Sequence, residues 1–175
     1  MNKKKIWISS IVALGIILLC GVSVFIYLNQ DPFYEYGQDW FDNYSRFPLI
    51  KPYEARFWAD GGFGWTIHLE GSIYERDFYS YYDVWDVQKI AVEKGVIMIY
   101  TPTENPEVDE SMGEKMLYWF VIIPDQEIEK AFDQENDFLA YINQWGIQKP
   151  AWQEPDDIMT EFRHTKCLHW IPECE

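Results

Sequence analysis

The sequence predicts an α+β protein: an antiparallel meander sheet of about five strands with C-terminal helices packed on one face, preceded by one N-terminal transmembrane helix. Three observations predict it. Residues 6–28 form an unbroken apolar run directly after three lysines. The middle of the chain holds short runs with strand-type alternation, separated by turn residues. The last third places apolar residues at helical spacing, and strands followed by helices mark the α+β class.

The N-terminal run divides the chain into a cytoplasmic stub (1–5), a signal anchor (6–28), an aromatic-rich lead-in (29–53) and an extracytoplasmic α+β domain (54–175). No Asp, Glu, Lys or Arg interrupts residues 6–28. As a helix this run is roughly 35 Å long, enough to cross the ~30 Å hydrocarbon core with some tilt. Trp7 and Tyr27 stand near its ends, where amphipathic rings favour the headgroup level. Lys3, Lys4 and Lys5 resist translocation, and the other flank opens with Asp31 and Glu35. The expected location is the cell membrane, single-pass, with the N-terminus in the cytoplasm and the C-terminal domain outside. A cleaved signal peptide has a shorter apolar region ending in a small-x-small site. Here Gly21 and Ser23 are followed by more apolar chain, 24–28. A lipoprotein cysteine follows a small residue, whereas Leu19 precedes Cys20. A buried core helix does not need this length or the lysine start.

All 29 acidic residues follow the span, against 11 of the 14 Lys and Arg, so the part beyond it carries −18. That charge disfavours nucleic acid and anionic headgroups as partners. Aromatic residues make up 18% of the chain, and only Trp7, Phe25 and Tyr27 belong to the span. The outer part therefore has ample material for a core, with aromatics left over for the surface. Exposed Trp and Tyr beside carboxylates suit a protein or glycan partner.

The lead-in, 29–53, mixes aromatics, acids and turn formers and reads as mostly irregular, with one helical turn at 39–44. Strands are expected at 54–59 and 65–70, joined by the Gly61–Gly64 turn. In the second, Trp65, Ile67 and Leu69 alternate with Thr66, His68 and Glu70. Runs at 84–92 and 96–101 flank Glu93, Lys94 and Gly95 as a hairpin, with a bulge at Gln88–Lys89. Residues 116–123 are almost wholly apolar, as in a central strand buried on both faces. The acidic, proline-punctuated stretch 101–113 reads as an exposed loop. Pro124–Asp125 opens a short helix with Ile128 and Phe132 on one face. Phe138, Leu139, Ile142 and Trp145 form a helical stripe that stops at Gly146, and Asp133–Asp137 caps it. A third helix starts at Pro155 with Ile158, Met159 and Phe162 on its apolar face.

Candidate chemistry is sparse. Cys167 and Cys174, close in sequence and expected outside the cell, read as a disulfide whose eight-residue loop contributes roughly 2–3 kcal/mol. With His164 and His169 they would supply four zinc-type donors, but the spacing fits none of the common paired patterns. His68 beside Glu70 is a candidate base with no nucleophile in evidence. Residues 133–137 lack the glycine and later glutamate of a calcium loop. No phosphate loop, GxSxG, HExxH or CxxC occurs. No residue is assigned a catalytic, cofactor-binding or metal role. The expected function is a membrane-anchored binding or protein-interaction module. The alternative is a membrane-tethered hydrolase acting on cell-surface polymer, which needs a concave site with two carboxylates roughly 5–10 Å apart, at least one of them desolvated.

Overall fold

The computed structural model describes residues 32–34, 44–58, 62, 64–69, 83–102, 117–172 and 174. The stub with Lys3, Lys4 and Lys5, the expected span 6–28, all but Tyr44 of the helical turn expected at 39–44 and residues 103–113 of the loop expected at 101–113 lie outside them, and Tyr44 is in a strand. Among the described residues no helix is long and apolar enough to cross a membrane. Contacts divide the chain into two compact units, 1–32 and 33–175, and every strand and α-helix below belongs to the second.

The fold is α+β, with two four-stranded antiparallel sheets and two helices. The first sheet runs in order through β1 (Tyr44–Pro48), β2 (Glu54–Trp58), β3 (Gly64–His68) and β4 (Asp83–Val84). The second runs through β5 (Lys89–Glu93), β6 (Val96–Tyr100), β7 (Trp119–Ile123) and β8 (Ile128–Phe132). Helices α1 (Glu135–Asn143) and α2 (Pro155–Thr165) follow. The meander expected as one five-stranded sheet is thus two meanders in succession. The expected strand 84–92 is broken at Asp86, where φ is +50°, and its halves enter different sheets. The lead-in supplies β1, and the helix expected after Pro124 is a single 3-10 turn followed by β8.

Pairing explains the first sheet. Phe47, Ala55, Ile67 and Val84 stand opposite one another in a row across all four strands, and all are buried. Trp65 adds its ring against Phe47 and Phe57 at 5.0 and 5.4 Å. The other face is polar, as period-two alternation requires. There Arg46 stands opposite Arg56, and Glu54 bonds both guanidinium groups, at 2.6 Å in each case. Pro48 occupies the end of an edge strand, a position where a missing N–H costs no ladder bond.

The centre of the second sheet is buried on both sides. Ile90, Ile99 and Phe120 form a row on one face, and Ala91, Met98 and Val121 a row on the other. The first face shares a core with the inner face of the first sheet and with Ile158, Met159 and Phe162 of α2. The second packs on Phe138 and Ile142 of α1 and on Ile147. This is why β6 and β7 read as continuous apolar runs. On the outer edge of β5, Ile90 exchanges two 2.9 Å backbone bonds with Gln153, which blunts the edge locally.

The first helix stops where its sequence implies, and the second ends on a left-handed lysine. Gly146 takes φ +71° just past α1, and Lys166 turns left-handed after α2 with its N–H bonded to Phe162 O. The cap of α1 differs from expectation. Its N-cap residue is Gln134 and no side chain bonds the first turn, so Glu135 and Asp137 act through charge at the positive helix end.

Candidate functional site

Among the described residues a concavity lies where the C-terminal tail crosses the two sheets. Beyond Lys166 the tail is held by two apolar plugs, Leu168 and Ile171, buried in the shared core. Between them, His169 and Trp170 each reach a different sheet. His169 Nε2 donates to Val92 O on β5 at 3.1 Å, which places the ring hydrogen on that nitrogen. Trp170 Nε1 donates to Pro48 O on β1 at 3.1 Å. Cys167 and Cys174, the expected disulfide partners, stand at disulfide distance with Cα atoms 5.4 Å apart, closing the loop that carries both side chains.

This loop forms one wall of an open groove of about 550 Å³, within the size range of small-ligand sites. Tyr34 and Ile50 form another wall, and Glu93 and Lys94 belong to the tight β5–β6 turn at its rim. Lys94 and Gly95 both take positive φ, +52° and +78°, the two-residue geometry that matches strand twist. The turn's charged side chains are tied to the segment after α1. Lys94 Nζ donates to Gly146 O at 2.7 Å, and Glu93 Oε1 accepts the Ala151 N–H at 2.7 Å. Among the described residues the groove therefore combines aromatic walls with one imidazole, one ammonium and one carboxylate. That carboxylate already has a donor.

The other candidates are dispersed. His164 Nδ1 turns back to Thr160 O within α2 at 2.7 Å, so the four zinc-type donors do not converge. Among the described residues no group of three or more His, Cys, Asp or Glu is placed to hold a metal ion. His68 pairs with Asp83 at 2.7 Å across β3 and β4, on the exposed side of the first sheet. Glu70 lies outside the described residues. Thr66, expected on the solvent face, is buried and donates to Arg56 O at 3.3 Å.

Tyr34 and Ile50 carried no signal as site residues in the sequence, and Trp170 only a weak one. Their meeting depends on contacts between distant segments. Trp170 alone had a local cue, standing beside His169 in the loop the cysteines close.

No protein-family model, curated protein or solved structure matches the chain.

Proposed function

We propose that the chain is a single-pass, membrane-anchored binding module that presents the groove between its two sheets to a protein segment or glycan outside the cell. In this reading residues 6–28 span the membrane, Lys3, Lys4 and Lys5 hold the N-terminus in the cytoplasm, and the cysteine bridge keeps the tail loop in shape. The observation that carries it is the groove's lining. Tyr34 and Trp170 offer apolar and stacking surface, Lys94 and His169 a polar rim, and among the described residues Glu93 is the only carboxylate on its walls. Such a lining suits recognition better than the carboxylate pair of a glycosidase, in which one acid must be desolvated and unengaged.

The test is a titration of cell-surface glycans and peptides against the full chain in nanodiscs, with mass spectrometry of the ligand afterwards. Binding without turnover, weakened by Trp170→Phe, is expected. Polymer cleavage lost in Glu93→Gln would replace this reading with the hydrolase. Protease added to intact cells expressing the full chain should digest the part beyond the span, and protection would overturn the topology.

A further inference from the structure

A second surface lies at the far end of the second sheet, roughly 13 Å along β5 and β6 from the groove. Lys89, Tyr100, Trp119 and Phe132 are directly opposed on four successive strands, so they form one row on one face. The row continues onto α1, where Tyr141 lies 5.4 Å from Phe132, and it ends at a second lysine, Lys130. Tyr100 and Trp119 are 5.5 Å apart between ring centroids. All four rings are partly exposed. Lys89 Nζ lies 5.7 Å from the Tyr100 centroid and Lys130 Nζ lies 4.6 Å from that of Tyr141.

Both lysines are exposed. Acids outnumber bases by 29 to 14, yet among the described residues neither lysine has a carboxylate within ion-pair distance. Each instead lies over a ring and keeps hydrogens directed away from it for an oxygen ligand. From β5 to β8 the row spans about 14 Å, three strand spacings.

We infer that this row is a shelf for an acidic linear polysaccharide, with sugar rings lying on Tyr100 and Trp119 and carboxylates meeting Lys89 and Lys130. A sugar ring has an apolar face for each aromatic ring and a polar edge for water. An acidic peptide would use the lysines and leave the ring row idle. The domain's net negative charge is screened beyond about 8 Å at physiological salt, so Lys89 and Lys130 act on a ligand lying along the row largely through short-range contact. The inference is independent of the groove.

The test titrates the full chain in mild detergent with polygalacturonate, dextran and polyglutamate, at low and high salt. Polygalacturonate should bind and the other two should not. Lys89→Gln with Lys130→Gln should weaken binding about tenfold and flatten its salt dependence. Trp119→Leu should abolish binding at an unchanged melting temperature. Should that variant melt early, the exposed lysine pair still decides. Equal binding of dextran, equal binding of polyglutamate, unaltered binding by the lysine variant, or no polygalacturonate binding would each overturn the inference.

Discussion

Ile97 and Met98 are neighbours on β6, fully buried, and face opposite layers. Ile97 lies in the core shared by the two sheets, and Met98 packs under α1. In a sheet with one wet face, one of two adjacent side chains is exposed and its truncation falls within about ±0.5 kcal/mol. Here each truncation to alanine removes a wholly buried side chain and leaves a cavity, at about 2–5 kcal/mol. Against a total stability of about 5–15 kcal/mol, either loss is large. With a urea slope near 2 kcal/mol/M, the midpoint of unfolding should fall by roughly 1–2.5 M for both variants. The assay is urea unfolding of the full chain in detergent, followed by tryptophan fluorescence. A Met98→Ala midpoint matching that of the parent, with Ile97→Ala strongly shifted, would refute the placement of α1 on the second sheet.

Three further outcomes are expected. Cys167→Ser with Cys174→Ser should cost about 2–3 kcal/mol in the same assay, from the freedom returned to an eight-residue loop, and adding reductant to that variant should change nothing further. Gly146→Ala places a side chain at φ +71° with its Cβ 3.0 Å from Lys94 Nζ. The lysine can swing away, so the backbone sets a loss of about 1–2 kcal/mol, roughly 3–8 °C by calorimetry. Glu54→Ala leaves Arg46 and Arg56 opposed without their shared carboxylate, costing about 1 kcal/mol, and the deficit should shrink as salt is raised during thermal melts.

The elements that were legible in the sequence had a local cause. The Lys94–Gly95 turn, the stop at Gly146 and the start at Pro155 each rest on one residue's backbone preference. The apolar run at 119–123 reported burial on both faces because no polar residue interrupts it. Ile128 and Phe132 misled for a geometric reason. Residues four apart share a face in a helix of period 3.6 and equally in a strand of period two. The break between β4 and β5 was hidden because Asp86, not a glycine, takes the positive φ. Two sheets looked like one because alternation tells which face is buried and nothing about which strands are neighbours. Of the groove, the hairpin rim and the cysteine loop were readable. Its walls were not, since Tyr34, Ile50 and Trp170 meet only after both sheets have formed.

Two meanders in succession also set a timetable. The first sheet is complete once Val84 has been added, with Phe47, Leu49 and Ile67 pointing toward partners not yet made. Its cover comes from the second sheet and, last of all, from Phe162 on α2. At 5–20 residues per second that interval lasts about 4–16 s, during which a ready-made oily surface waits on a nascent chain. For those seconds the earlier half depends on whatever surrounds it at its exit, and the later half supplies the lid that ends the dependence.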